Sequence, residues 1–361
     1  MKKNMIALAV LGALAAPAAM AQSANPVTLY GRVYALVENV SATGGTAIAI
    51  PARTVVQDGN TYIGFRGTED LGGGLKAWFQ VESTGVVDAG GGLWANRNSA
   101  VGLQGAWGSF LIGRWDTPFK NLELAVDPTG ELTVADPESV IGDKNNFTRR
   151  PNNNVQYWTP NMAGFSMRFS YVANEGKLAA TATAAAVNPY DVGFHAQYAP
   201  SGSPISGGYA WEKHHDQQGG NTVSGIDEKG QLLYVKGNFG GFMISAMGQR
   251  FNKSTKVDTK VSLFTTQYDF GPHSVFGIYG RTKGGQLLTA TTAAPEGKMA
   301  AIGYYYNFSK RTTFVAVYSK ITNNSTANYT FNSNASIIAG GPALTNDQDP
   351  RGFGVGIRHL F

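Results

Sequence analysis

From Val27 onward the chain alternates apolar and polar residues in runs of about ten, almost to its last residue. In VTLYGRVYALVENV, Val27, Leu29, Gly31, Val33, Ala35 and Val37 share one parity. Thr28, Tyr30, Arg32, Tyr34 and Glu38 share the other, with Leu36 out of place among them. GFSMRFSYVAN sets Phe165, Met167, Phe169 and Tyr171 against Ser166, Arg168 and Ser170. YDVGFHAQYAP sets Val192, Phe194, Ala196 and Tyr198 against Asp191, Gly193, His195 and Gln197. Period two marks a strand with one apolar face, and about ten residues is the length a tilted strand needs to cross a bilayer. Beyond the N-terminal segment no stretch offers the roughly 20 apolar residues of a spanning helix. A chain with this pattern enters a membrane only as strands.

The two ends sharpen that reading. Lys2 and Lys3 precede an apolar run from Met5 to about Met20, and Ala19-Met20-Ala21 fits the small-residue cleavage rule, so residues 1–21 are expected to be a cleaved export signal. Residues 22–361 are then a single barrel domain with no linker. The chain closes on RGFGVGIRHLF, where Phe353, Val355, Ile357 and Phe361 share one parity and Gly352, Gly354, Gly356 and Arg358 the other. Termini fray unless tied down, so a terminal strand this regular should be paired on both sides.

Composition removes several classes of function. Without Lys2 and Lys3 the chain holds 27 basic residues against 24 acidic ones, a net charge of +3. That balance is too even for a nucleic-acid partner. Cysteine is absent, so neither disulfides nor thiolate metal sites are available. The histidines are scattered apart from His214-His215, and no H-E-x-x-H occurs. No Ser–His–acid set stands out for catalysis, and the G-x-G-x-G in GFGVGI lies inside a strand rather than between strand and helix. The expectation is therefore no enzyme, no cofactor and no metal.

A soluble β-sandwich also alternates. Here, however, the polar parity carries long charged and aromatic side chains suited to a wet interior, and short connections (AWGS, APSGSP, NFGGF, DFGPH) alternate with long polar ones. Short turns on one rim and long loops on the other characterise an up-and-down barrel in an outer membrane. The alternating runs number sixteen, from 27–40 and 59–69 through 205–215 and 228–239 to 351–361, with long loops expected near 41–58 and 215–227. The fold class is all-β: a closed 16-stranded antiparallel transmembrane barrel whose first and last strands pair.

One connection stands apart. Residues 116–151 carry Glu123, Asp127, Glu131, Asp136, Glu138 and Asp143 together with Phe119, Leu122, Leu124, Val126, Leu132, Val134 and Ile141. A solvated loop has little use for so many apolar groups, so this third long loop is expected to fold inward and narrow a barrel that would otherwise be wide. FKNLELAV suits a short helix. The wall arginines nearby are Arg32, Arg66, Arg97 and Arg114, with Arg150 where the loop re-enters the wall. Arg32 and Arg66 lie mid-strand on the inward parity. Arg97, Arg114 and Arg150 suit either the lumen or a rim, where long cations snorkel.

VTLYGRVYA, GFRGTEDLGGGLKAWFQVE, NRNSAVGLQGAWGSFLIGRWDTP, RRPNNNVQYWTPNMAGFS and the closing GIRHLF resemble the general trimeric porins of proteobacterial outer membranes, over the whole chain. The resemblance implies a passive outer-membrane channel for small hydrophilic solutes and ions, assembled as a homotrimer in lipid and lipopolysaccharide. It implies a basic wall of Arg32, Arg66, Arg97 and Arg150 facing acidic groups on the inward loop, for which Glu123, Asp127, Glu131, Asp136 and Glu138 are the candidates. It further implies that Phe361, with Ile357 and Val355, is a signal read by the barrel assembly machinery. One departure stands out: Tyr62 occupies a place where the family usually has a polar or basic residue. A barrel enzyme or an adhesin would be the alternatives. The first lacks a catalytic set, and the second would show unusually long or repetitive external loops.

Deleting Phe361, or replacing it with a charged residue, should sharply lower the amount of folded barrel in the outer membrane. Normal yield of heat-modifiable protein on an unboiled gel would refute this.

Overall fold

The computed structural model describes residues 27–45, 49–130, 132–141, 146–219, 221–254, 256–332 and 344–361. The expected export signal at 1–21 lies outside them. In chain order the elements are β1 (Thr28–Gly44), β2 (Ile50–Asp58), β3 (Tyr62–Gly72), β4 (Leu75–Gly85), β5 (Gly92–Leu93), β6 (Ser99–Gly105) and β7 (Gly108–Arg114). The helix α1 (Pro118–Leu124) and a 3-10 turn at Pro137–Ser139 follow. The wall then continues with β8 (Asn154–Trp158), β9 (Phe165–Ala173), β10 (Tyr190–Tyr198), β11 (Ile205–Gln218), β12 (Asn221–Phe239) and β13 (Phe242–Lys253). The last strands are β14 (Thr259–Phe270), β15 (His273–Lys283), β16 (Glu296–Asn307), β17 (Thr312–Asn323) and β18 (Gln348–Leu360).

Neighbours along the chain pair antiparallel, and β1 pairs with β18 from Arg32 opposite Leu360 to Gly44 opposite Gln348, which closes the cylinder. The eighteen segments make sixteen wall strands. β2 and β3 lie end to end against β1, and β5 and β6 end to end against β4. The terminal phenylalanine seals the seam: Gly31 N donates to Phe361 O at 3.1 Å and Phe361 N to Gly31 O at 3.1 Å. Glycine is required at 31, because a Cβ there would stand 2.5 Å from the Tyr62 carbonyl oxygen as well as 2.5 Å from Phe361 Cζ.

The parity expected from the sequence holds. Val33, Val37, Phe169 and Ile357 are exposed on the lipid side, while Tyr34, Glu38 and Ser170 are buried inside. Two expected loops are corrected. The stretch near 41–58 contains β2, and the stretch near 215–227 is the far end of a long β11–β12 hairpin that pairs out to Gln218 opposite Asn221. Beyond the bilayer both faces of a strand meet water, so strand pairing continues where apolar alternation has stopped.

The core sits inside the cylinder. Phe119, Leu122, Val126, Val134, Val140, Ile141 and Phe147 of the third long loop pack against apolar side chains that point inward from the wall. These include Leu232 of β12, Met247 and Phe251 of β13, Leu263 of β14, Ile278 of β15, Met299 of β16, and Val317 and Ile321 of β17. The interior is therefore not uniformly polar, as the alternation suggested. One half of the wall is apolar inward because the loop rests on it.

Placing Arg at Phe194, on the outward parity of β10, should cost about 2–4 kcal/mol if that site lies near the bilayer midplane. Arg at Gln197, inward on the same strand, should cost far less. Refolding titrations into lipid vesicles compare the two, and equal costs would reverse the assignment of faces.

The candidate constriction

The third long loop leaves β7 through Trp115-Asp116-Thr117. Thr117 caps α1, its Oγ1 accepting from Lys120 N at 3.2 Å, and Pro118 occupies the first turn, where a missing N–H costs nothing. The loop's base is clamped. Arg150 Nη2 lies 3.1 Å from Asp116, Arg150 Nε donates to Asn98 Oδ1 at 2.7 Å, and Thr117 N donates to Arg149 O at 3.2 Å. Arg149 itself pairs with Asp191 and stands 3.7 Å from Glu212, both on the wall.

Between its ends the loop crosses the interior, because its backbone is satisfied by wall side chains from almost every side. His195 of β10 bonds Pro118 O at 2.9 Å, Lys236 of β12 donates to Ala125 O at 3.0 Å, and Thr265 of β14 donates to Val126 O at 2.9 Å. Tyr305 of β16 donates to Pro128 O at 3.0 Å, and Thr282 of β15 donates to Val140 O. On the opposite wall Arg32 of β1 donates to Gly130 O at 3.3 Å, Gln57 of β2 to Leu132 O at 3.4 Å, and Glu38 of β1 accepts from Val134 N at 3.0 Å.

The expected basic residues separate into two groups. Arg32, Arg66 and Arg97 gather around two edge-to-face tyrosines, Tyr30 and Tyr62, whose centroids are 6.3 Å apart. Arg32 lies 5.3 Å and Arg97 4.9 Å from the Tyr62 ring, and Arg66 lies 4.9 Å from Tyr30. Each ring face is attractive to a cation. Asn60 explains the grouping. The break between β2 and β3 holds it at φ +74°, which turns its carbonyl to Arg32 Nε at 3.0 Å and its side-chain oxygen to Arg97 Nη1 at 2.6 Å. Arg97 also pairs with Glu82 at 2.5 Å. Arg114 and Arg150 sit apart, at the loop base: Arg114 donates to Asn96 O at 2.7 Å and Asn152 Oδ1 at 2.6 Å.

The expected acids are less alike than their charges suggest. Asp127 Oδ1 accepts from Thr129 N at 2.8 Å, forming a turn. Asp136 is fully buried as the cap of the 3-10 turn, accepting from Glu138 N, Leu132 N and Asn332 Nδ2. Glu138 accepts from Asn332 and stands 3.9 Å from Lys120. Glu123 is buried on the far side of α1, one carboxyl oxygen taking bonds from Thr148 at 2.9 Å and Gln249 at 2.5 Å. Burial pushes its carboxyl up to about 7 against those two hydrogen bonds and nearby Lys120, with Asp136 adding to the rise. Glu131 and Asp143 lie outside the described residues.

Sequence reasoning missed three participants. Arg358 of β18 lies 5.3 Å from the Tyr305 ring, on the inward parity beside Gly130. Glu38 and Glu82 are wall acids, one holding the loop and the other Arg97. The glycine alternation in GFGVGIR already placed Arg358 inward, so parity alone could have found it.

A family model described as Gram-negative porin matches residues 7–327. The outer membrane porin protein 32 of Delftia acidovorans is 31% identical over the full length of both chains. The major outer membrane protein P.IB of Neisseria meningitidis serogroup B is 30% identical over 333 residues, 87% of this chain and 91% of that protein. Among solved structures, the anion-selective porin from Comamonas acidovorans superposes with a TM-score of 0.76 over 94% of this chain and all of that one, at 24% identity.

Glu123 makes the seating of the loop depend on pH. Its folded value lies above the ordinary carboxylate range, so the neutral form is the one the folded state favours. Its contribution to stability is full below the unfolded value and is lost as pH rises through about 7. Glu123→Gln should therefore resist thermal unfolding better than the parent at pH 8, with the difference shrinking at pH 5. A constant difference across that range would contradict the assignment.

Proposed function

The chain belongs to the Gram-negative porin family, and from that premise we propose how its channel discriminates among solutes. The protein is an outer-membrane channel for passive diffusion of small hydrophilic solutes and ions, not an enzyme. Its inward loop leans on β12–β17 and leaves the passage along β18 and β1–β9. The basic wall of that passage is Arg32, Arg66, Arg97 and Arg358, with Arg150 holding the loop base and Arg114 outside the narrowest part.

The observation that carries this reading is the contrast between the two sides. Among the described residues Arg66 and Arg358 have no carboxylate within ion-pair reach, and each rests only on a tyrosine ring. On the loop, Asp136 and Glu123 are buried in capping and packing roles, which leaves Asp127 and Glu138 as the candidate acids of the passage among the described residues. The channel accordingly prefers anions at low salt. Three copies assemble side by side in lipid and lipopolysaccharide, residues 1–21 direct export, and the strand ending in Val355, Ile357 and Phe361 is read by the assembly machinery. The trimer is supported by a structural relative, an outer membrane protein of Vibrio cholerae described in trimer form. Phe361's place at the seam supports the assembly signal.

Two unit charges about 4 Å apart interact by about 1 kcal/mol in bulk water and about 4 kcal/mol at an effective dielectric of 20. A confined passage lies between, so one guanidinium biases ion occupancy several-fold. Arg66→Ala or Arg358→Ala should shift the reversal potential toward cations at low salt, and Asp127→Asn should shift it the other way. Both effects should fade as the screening length falls from about 10 Å at 0.1 M to about 3 Å at 1 M. Reversal potentials identical to the parent's at low salt would remove these side chains from the constriction.

A further inference from the structure

Next to Arg66, toward the rim of short turns, the lumen wall holds three tryptophans that ion conduction does not require. Trp78 of β4, Trp158 of β8 and Trp115 at the loop's departure lie with centroids 5.6–6.1 Å apart. They border a cavity of about 510 Å³, together with Arg66, Gln80 and Gln104, and no acidic side chain lines it. That is the volume of a small-molecule site. Arg66, Trp78, Gln80, Gln104 and Trp158 share the inward parity of their strands, so they turn this cavity toward the passage, while Phe79 and Gly67 border it from the outward parity.

The rings are held rather than loosely packed. Trp78 Nε1 donates to Ser109 Oγ at 3.1 Å and Trp158 Nε1 to Gln156 Oε1 at 2.8 Å, so both indole donors are spent on the wall. Arg168, which also donates to Asn121 of α1, lies 4.2 Å from the centroid of Trp158. What remains open to a solute is apolar ring surface of Trp78 and Trp158, backed by the buried Trp115, with the Arg66 guanidinium at its edge. Tyr30 covers one face of that guanidinium and leaves its N–H fork available, and a planar fork of this kind binds a carboxylate through two parallel hydrogen bonds. A flat apolar body with a carboxylate at one end satisfies both features together. A simple inorganic anion uses only the arginine. A neutral sugar would leave the guanidinium without its charged partner.

We infer that Trp78, Trp115, Trp158 and Arg66 form a subsite for aromatic carboxylates, which the channel retains transiently beside its narrow part. This goes beyond charge selectivity. Arg66 also belongs to the basic wall, so the subsite rests on the channel reading for its position in the passage. Retention raises the local concentration of such solutes at the constriction and favours their entry over acetate-like anions of equal charge.

The test is single-channel current in a planar bilayer, with benzoate and acetate compared as additives at equal concentration. The parent should show a saturable reduction of chloride current with benzoate and little with acetate. The double substitution Trp78→Ala, Trp158→Ala should raise the half-blocking benzoate concentration by about tenfold, the scale of losing aromatic contacts of this kind. Trp78→Phe with Trp158→Phe, which keeps ring surface, should stay within about threefold of the parent. Arg66→Gln should weaken benzoate block while the acetate response stays small. Heat-modifiable migration on an unboiled gel confirms folding, and if the alanine variant does not fold, the phenylalanine and Arg66→Gln variants decide the matter. A benzoate effect equal to that of acetate in the parent overturns the subsite. So does a benzoate block that none of these substitutions alters. Reversal potentials that ignore Arg66 would instead count against the basic wall, which keeps the two ideas separable.

Discussion

Inside lipid every backbone N–H and C=O must find its partner within the protein, since no water is present to take the place of a missing one. That requirement shapes the wall from end to end. It forces each strand to be paired on both sides, so β1 must meet β18. Gly31 and Phe361 show the requirement at the scale of single atoms: two reciprocal backbone hydrogen bonds, and a glycine whose missing Cβ makes room for the terminal ring.

A closed wall this wide encloses more space than its own side chains fill, and the third long loop occupies the surplus. Its apolar residues need a surface to bury against, and β12–β17 supply one by turning Leu232, Leu263, Met299 and Val317 inward. Fully burying a side chain such as Phe119 or Leu122 is worth about 1.5–3 kcal/mol. The loop also brings backbone groups away from water, and isolated polar residues on the wall meet them: Thr265, Thr282, Tyr305 and Lys236 on one side, Arg32, Gln57 and Glu38 on the other. Loop and wall are thus mutually necessary. Neither the inward apolar residues nor the loop's own would be stable in a lumen full of water.

Because the loop leans to one side, the passage is asymmetric. Along β18 and β1–β9 guanidinium groups rest on tyrosine rings and tryptophans line the wall. Tyr62, although uncharged, keeps an electrostatic part. Its ring faces both Arg32 and Arg97, holding two cations that would otherwise repel each other or swing into the passage. Asn60 completes the arrangement by offering one oxygen to each.

Period-two alternation, with no run long enough for a spanning helix, was sufficient to read a membrane barrel, its sixteen wall strands and which side chains face lipid. Side-chain direction in a strand is a local property, set by the pleat and visible one residue at a time. The inward loop could be read for a similar reason: Phe119, Leu122, Val126 and Ile141 in a polar connection demand a partner surface. The identity of that surface was hidden. Leu232 and Val317 read as ordinary strand residues until a segment about a hundred or more positions away in the chain is laid against them. The ends of β2, β11 and β12 were hidden too, because outside the bilayer pairing no longer needs an apolar face. The division of labour among the acids was also decided by tertiary contacts. Asp136 and Glu123 carry the same charge as Asp127 in the sequence, yet one caps a turn bonded to Asn332 and another is buried against Gln249. Charge is written in the residue, whereas its exposure depends on which distant segment folds over it.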